Sequence, residues 1–298
     1  MLSIHPENKM LQLQGRHYGL FALSFALYFI AALYCLYISR QPGSIAAIWY
    51  ANAIMVMFLQ AFAYREWPLL LALAALGNLA ANMVLNDPLG MSLSFIPGNL
   101  LEIVLLSYVV RRFIPLRQCM NNPQVILKLF IFSLPPLVLS ALTGAMILMF
   151  YGFSAYLQNW LLLMISSLAG IISIFPVGIL ILRYGWHNFI QLNQSFAVLM
   201  CILLALSTAL FSFLYLPYPY VYISGTLILV AIVGRFAGTA IAVLIYSIII
   251  SILISLEFFQ ASLQERYLND EIYLYLPLVM TLLQPLLLAT AMQRISTR

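Results

Sequence analysis

The feature that most constrains the fold of this chain is a series of apolar runs, each close to the length of a membrane span, separated by short polar breaks. A helix needs about 20 predominantly apolar residues to cross the hydrocarbon core of a bilayer. Only 7% of the 298 residues are charged, against about 25% in an ordinary soluble domain. The sequence therefore excludes a water-soluble globule and predicts an all-α fold, a polytopic membrane helical bundle.

The apolar runs predict about ten transmembrane helices. They cover residues 18–38, 44–63, 68–86, 93–110, 126–150, 157–182, 195–216, 219–234, 237–256 and 273–292. The breaks between them contain Pro, Gly and Asn, which are typical of turns. The second and eighth runs are short, and if either is re-entrant or interfacial the number falls toward eight. The predicted organisation is a lead over 1–17, one transmembrane domain over 18–292 and an end segment over 293–298.

The basic residues predict the orientation of the bundle. If the N-terminus is inside and ten spans follow, all but two of the 13 Lys and Arg residues fall in cytoplasmic segments. The two exceptions are Arg40 and Arg266. Asp87 and the acids of the segment 257–271 fall outside. Both termini are therefore predicted to be cytoplasmic, and scattered bases of this kind form no nucleic-acid-binding face.

One acid, Glu102, lies well inside a predicted span. An ionisable group at that depth costs several kcal/mol unless it is paired, protonated or hydrated. Polar and aromatic residues accompany it on the same span or on the two preceding spans: Trp49, Asn52, Asn78, Asn82 and Asn99. Because consecutive helices joined by short turns tend to be neighbours, these faces are expected to meet in the outer half of the bilayer. We interpret the six residues as a candidate ligand-binding or polar-core cluster.

A structural role for the amides is the alternative interpretation. Side-chain amides hold transmembrane helices together through hydrogen bonds that contribute about 0.6 to 2 kcal/mol each. For the amides alone this role is favoured. Glu102 shifts the balance toward a site, because helix association does not require an acid.

A second set of residues, in the sixth and last spans, suggests how a conformational change could pass along the helices. Ser167 and Gly170 allow close helix packing in the sixth span, and Pro176 frees a backbone carbonyl and can kink the helix. Gln284 and Pro285 form a weaker feature of the same kind in the last span. Packing alone is a sufficient explanation, and signal transmission is the functional hypothesis.

The sequence contains no recognisable enzyme chemistry. The histidines fall outside the predicted spans, and the chain has no HExxH, GxGxxG, P-loop, GxSxG or CxxC motif. We therefore predict no catalytic residues, no metal and no cofactor for this chain.

Several short motifs together carry a family resemblance. They are the run Ile48-Trp49-Tyr50-Ala51-Asn52-Ala53, Trp67-Pro68, Gly77-Asn78-Leu79-Ala80-Ala81, Asn99-x-x-Glu102, Ser167-x-x-Gly170 with Pro176, and Leu214-Tyr215-Leu216-Pro217-Tyr218-Pro219. In order and spacing they resemble the MASE family, type one, the multi-span sensor domain at the N-terminus of bacterial diguanylate cyclases and sensor histidine kinases. The likeness covers nearly the whole chain.

The resemblance implies a multi-pass sensory domain of the bacterial inner membrane. Such a domain perceives a small ligand, a lipid or a partner membrane protein and regulates cyclic-di-GMP synthesis or histidine kinase signalling. Family members continue into an output domain, whereas this sequence ends a few residues after its last span. We therefore expect either a piece of a longer protein or a chain that acts through a partner signalling protein. The predicted partners are the lipid bilayer, an unknown small ligand, that output domain and, as an open alternative, a second copy in a homodimer.

Two other functions stay open on the sequence alone. The chain could be a transporter or substrate-binding membrane subunit in which Glu102 carries a proton or cation. It could also be a membrane anchor or scaffold in which every polar group serves packing. Dependence of substrate flux on Glu102 would favour the first of these, and retained regulation after exchange for an unrelated anchor would favour the second.

Overall fold

The structure is a computed structural model that describes residues 18–38, 46–192, 196–256 and 272–296. Its helices are α1 Tyr18–Ile38, α2 Tyr50–Ala61, α3 Trp67–Val84, α4 Leu89–Phe113, α5 Pro123–Phe150, α6 Tyr156–Leu192, α7 Phe196–Tyr215, α8 Pro219–Ser255 and α9 Ile272–Ser296. Two short 3-10 turns lie at Tyr64–Glu66 and Leu116–Met120. The predicted all-α fold is confirmed.

Eight of the described helices are long and apolar enough to cross a membrane: α1 and α3 to α9. This confirms a polytopic, multi-pass membrane bundle. The predicted lead over 1–17 and the acidic segment 257–271 lie outside the described residues.

The helix α8 contains the break that the sequence predicts between its eighth and ninth spans. Arg235 interrupts the helix with φ 49° and ψ −150°. An unbroken helix of 37 residues would be about 55 Å long, well beyond a hydrocarbon core of about 30 Å. The interruption leaves one helical segment on each side of Arg235, and each segment is close to the length of one span.

The second predicted span, 44–63, needs a correction. Helix α2 has only 12 residues, a length of about 18 Å, and begins at Tyr50. Trp49 has extended backbone, with φ −112° and ψ 94°, so the first part of the described run is not helical. Ten of the 12 residues of α2 are buried. This helix is therefore enclosed by other helices, unlike α1, which exposes several large apolar side chains.

The chain divides into two compact units, whose boundaries fall after α4, within α5 and within α6. In the first unit, residues 1–115 and 129–171, α1 packs on α2 and α3. The helices α2, α3 and α4 pack on one another, as their order in the sequence predicts. In the second unit, residues 116–128 and 172–298, α8 packs against both α7 and α9.

Candidate functional site: a polar cavity in the first unit

The non-helical backbone at 46–49, before α2, and the first residue of α2 obtain hydrogen bonds from neighbouring helices. The Trp49 amide N–H donates to the Ser166 carbonyl of α6 at 3.1 Å. The Ser166 hydroxyl donates in turn to the Ala46 carbonyl at 2.6 Å, and the Tyr50 N–H donates to the Cys35 Sγ of α1 at 3.4 Å. Backbone groups at membrane depth must be paired, because no water is there to satisfy them. Helices α6 and α1 thus replace the partners that a continuous helix would have supplied itself.

Gly170 is required for the close approach of α6 to the backbone of Trp49. A Cβ atom at Gly170 would lie 1.9 Å from the Trp49 carbonyl oxygen and 2.7 Å from its carbonyl carbon. Both are backbone atoms and cannot move aside as a flexible side chain could. The small residue at this position therefore brings the α6 backbone directly against the 46–49 backbone.

Arg111, in the last turn of α4, contacts the opposite end of α2. Its side chain is buried, with 1% of its surface exposed. Its guanidinium donates to the Leu59 carbonyl and, at 2.6 Å, to the Phe62 carbonyl. It also lies 4.6 Å from the centre of the Tyr64 ring and 4.8 Å from that of Trp67. A cation at a helix C-terminus satisfies carbonyls that lack a partner and complements the helix dipole. Both ends of α2 are thus fixed by contacts with other elements.

Four helices converge on the Glu102 carboxyl group, which α4 contributes. The hydroxyls of Ser140 in α5 and Ser167 in α6 each donate to Glu102 Oε2 at 2.9 Å. The side chain of Asn52 in α2 also contacts the carboxyl. Glu102 is only 4% exposed. The acid is therefore the point where α2, α4, α5 and α6 are joined by polar contacts.

A chain of hydrogen bonds extends from this carboxyl through the amides. The Asn52 Nδ2 donates to Asn99 Oδ1 at 3.1 Å, and the Tyr28 hydroxyl donates to Asn52 Oδ1 at 3.1 Å. Asn82 instead donates within its own helix, to the Asn78 carbonyl at 2.8 Å. Asn82 also donates to Asn78 Oδ1 at 3.3 Å, and the Asn78 side chain contacts Tyr28 of α1. Asn52, Asn99 and Asn78 thus all take part in contacts between helices.

A cavity of about 80 Å³ lies beside Glu102. Its lining combines carboxyl, amide, hydroxyl and aromatic groups with small and apolar ones: Leu36, Ala46, Trp49, Asn78, Asn82, Asp87, Met91, Phe95, Gly98, Asn99, Glu102, Ser140, Ala141, Gly144, Leu163, Ser166 and Ser167. None of these lining residues is Lys, Arg or His. The Trp49 indole N–H is buried and has no hydrogen-bond partner among the described residues.

The structure brings together the six residues of the predicted polar cluster. Five of them line the cavity: Trp49, Asn78, Asn82, Asn99 and Glu102. Asn52 lies behind the lining and contacts both Asn99 and Glu102. Of the residues predicted to transmit a signal, Ser167 lines the cavity and Gly170 lies less than one turn further along α6.

The other predicted transmission residues belong to the second unit. Helix α6 continues through Pro176, and its non-helical residue is instead Gly185, with φ 72° and ψ 161°. In α9 the Gln284 side chain is exposed and Pro285 is buried. The proline in α6 is thus accommodated within the helix, and the break occurs at a glycine that adopts positive φ without steric cost.

Several site residues are absent from the sequence prediction. Ser140 and Tyr28 stand alone in apolar runs, where a hydroxyl ordinarily bonds within its own helix and attracts no notice. Arg111 is predicted only as a marker of the cytoplasmic side. Its adjacency to Tyr64 and Trp67 depends on how α2 ends against α4, which no spacing in the sequence reveals.

Comparisons with known proteins identify the class of membrane protein to which this bundle and cavity belong. Residues 18–296 match the family MASE1. The chain therefore belongs to the MASE1 family of membrane sensor domains, which is associated with diguanylate cyclases. The resemblance seen in the sequence motifs is confirmed.

One curated relative of the chain is the probable diguanylate cyclase DgcE of Escherichia coli (strain K12). The two are 25% identical over 197 residues, which cover 65% of this chain and 18% of that protein. The chain thus corresponds to about a fifth of the length of this relative. No solved structure matches the chain.

Proposed function

We propose that this chain is the signal-input domain of a bacterial inner-membrane signalling system and that the cavity beside Glu102 is its ligand site. In this proposal the occupied cavity regulates cyclic-di-GMP synthesis or a histidine kinase, in the same polypeptide or through a partner protein. The observation that carries the proposal is the convergence of four helices on one buried acid that borders a cavity. A group bound there would contact side chains from several helices and could favour one packing of them over another.

Helix α6 is the element that we propose to carry the response away from the cavity. The Ser167 hydroxyl donates to Glu102, and Pro176 follows later in the same helix. The last helix, α9, would deliver the response to an output domain or partner. Its exposed Gln284 is a polar group on an apolar surface, which supports a contact with another transmembrane helix, including that of a second copy.

A chimera with a measurable output tests the sensory function. This chain would replace the membrane region of E. coli DgcE, and cyclic-di-GMP would be measured in cells lacking the native protein. We expect Glu102→Gln and Asn78→Leu each to change the output about fivefold or more, which corresponds to a coupling free energy of about 1 kcal/mol. The amount of membrane-inserted chimera, measured by immunoblot, should stay within the range of the unchanged chimera.

Two matched controls separate a site effect from a general one. Glu66→Gln makes the same chemical change at a buried glutamate that does not line the cavity. Leu101→Ala changes the residue that precedes Glu102 in the sequence. The Leu101 side chain is 36% exposed. Both should leave the output unchanged. An unaltered output from Glu102→Gln and Asn78→Leu would refute the sensory role of the cavity.

Transport is a second candidate because the backbone at 46–49, beside the polar cavity, is not helical. Discontinuous helices beside a polar midplane site are typical of secondary transporters, where they bind substrate or coupling ions. Uptake of a substrate into vesicles containing the purified chain, with loss of uptake in Glu102→Gln, would favour transport. Unchanged flux across a panel of small solutes, together with an altered chimera output, would favour sensing.

A further inference from the structure

The chemistry of the cavity lining indicates which class of molecule it accepts. The described lining contains the buried carboxyl group of Glu102 and no basic side chain. Buried charge is tolerated only when it is paired or hydrogen-bonded. An anionic ligand would find no cation among the described lining residues, whereas a cationic ligand would find an acid held rigidly at the wall.

The two hydroxyl hydrogen bonds to Glu102 fall on one of its two carboxyl oxygens. The hydroxyls of Ser140 and Ser167 both donate to the same oxygen, Oε2. The second oxygen, Oε1, receives neither of these hydroxyls. Asn78 and Asn99 belong to the same lining, and the amide oxygen of each, which already accepts one hydrogen bond, has a second lone pair. A group with several N–H donors and a positive charge complements this arrangement.

The size of the cavity limits the ligand to a small molecule. One water molecule occupies about 10 to 15 Å³ of volume measured in this way, so 80 Å³ has room for about six. An occupant of about six non-hydrogen atoms therefore fits. Trp49 and Phe95 belong to the lining, and aromatic faces attract cations.

We propose that the cavity binds a small primary amine whose ammonium group donates to the Glu102 carboxyl. This inference rests on the proposed function only in placing the ligand in the same cavity. The amine can be a free solute or the ethanolamine headgroup of a phospholipid, since both present a primary ammonium group.

Binding is tested with the purified full chain in phosphatidylcholine nanodiscs at neutral pH, with 4-aminobutanol as the probe. Butane-1,4-diol is the matched control ligand, because it replaces the ammonium group with a hydroxyl group and keeps the size. We expect 4-aminobutanol to raise the midpoint of thermal unfolding in a saturable way and the diol to leave it unchanged. Glu102→Gln should weaken binding about tenfold or more, whereas Glu66→Gln should not.

A measurement on the unaltered protein keeps the test decisive even if Glu102→Gln fails to fold. Dicyclohexylcarbodiimide modifies carboxyl groups in apolar surroundings, and peptide mass spectrometry can follow its reaction at Glu102. We expect 4-aminobutanol to slow this reaction and butane-1,4-diol to have no effect. Slow reaction in phosphatidylethanolamine nanodiscs without added amine would support the proposal and assign the ligand to the lipid headgroup.

The outcomes separate this inference from the proposed function. Equal effects of the amine and the diol would overturn the amine proposal. So would the absence of both a saturable effect of the amine in phosphatidylcholine nanodiscs and a slow reaction in phosphatidylethanolamine nanodiscs. A chimera output that still depends on Glu102 would then leave the sensory function standing. Conversely, amine binding without any effect of Glu102→Gln on the output would support the site and refute its sensory role.

Discussion

The two units of the molecule bury polar side chains in different ways. In the second unit, the hydroxyls of Ser212, Thr239 and Thr290 donate to carbonyls three or four residues earlier in their own helix. A longer contact between hydroxyls, Ser224 to Thr281 at 3.5 Å, joins two helices there. In the first unit, the polar side chains that surround Glu102 bond from one helix to another. A hydroxyl satisfied within its own helix makes no demand on its neighbours, whereas a bond between helices fixes their relative positions. We therefore take buried polar side chains as a candidate site where their hydrogen bonds join separate helices around one acid.

The largest expected effect on stability comes from a substitution at the contact between α6 and the Trp49 backbone. Gly170→Ala would place a Cβ atom against the Trp49 carbonyl, so that the backbone at Trp49 or helix α6 must shift. We expect a loss of stability of about 3 kcal/mol, at the upper end for overpacking in a closed site. The midpoint of thermal unfolding in detergent and the folded fraction in size-exclusion chromatography would measure it.

A glycine in the second unit provides the matched control for this change. Gly225 in α8 has nothing within 4 Å of the position a Cβ would take. Gly225→Ala should leave stability unchanged or raise it by up to about 1 kcal/mol, because alanine favours the helix. Equal behaviour of the two alanine variants would break the contrast between the units.

An intermediate effect is expected from removing single hydroxyls. Ser140→Ala takes one of the two hydroxyl donors from Glu102 Oε2 and should destabilise the protein by about 1 to 2 kcal/mol. Ser212→Ala removes a hydroxyl that donates to the Ala209 carbonyl of its own helix and should cost less than about 0.5 kcal/mol. Denaturation of the two variants in the same detergent would compare them, and a larger loss from Ser212→Ala would contradict this account.

The smallest expected effect has the opposite sign and lies in the second unit. Arg235 adopts positive φ, a region that costs a residue with a Cβ about 1 to 3 kcal/mol. Arg235→Gly should therefore raise stability by about 1 kcal/mol, part of the gain being lost to the greater freedom of glycine in the unfolded chain. Ile232→Gly, at an exposed helical position in the same segment, should lower stability by a similar amount. Destabilisation by both variants would show that the backbone at Arg235 is not strained.

Regular features of the fold follow from the sequence because they depend on local composition. The lengths of the apolar runs predict most helix bounds, and the separate runs 219–234 and 237–256 predict the break in α8. The neighbouring positions of α2, α3 and α4 follow from their short connections. The start of α2 does not follow, since Ala46 and Trp49 leave the helical conformation only because α6 offers their backbone other partners.

By itself, the sequence determined that the chain is a multi-pass helical membrane protein and that Glu102 is its unusual acid. Both conclusions rest on the cost of placing charge in hydrocarbon, which depends on residue type and depth alone. The tertiary structure alone decided that Ser140 and Ser167 meet Glu102, that Arg111 caps α2 and that a cavity remains beside the acid. These features depend on which faces of separate helices touch, and pairings between distant residues are not encoded in the apolar pattern of any one segment.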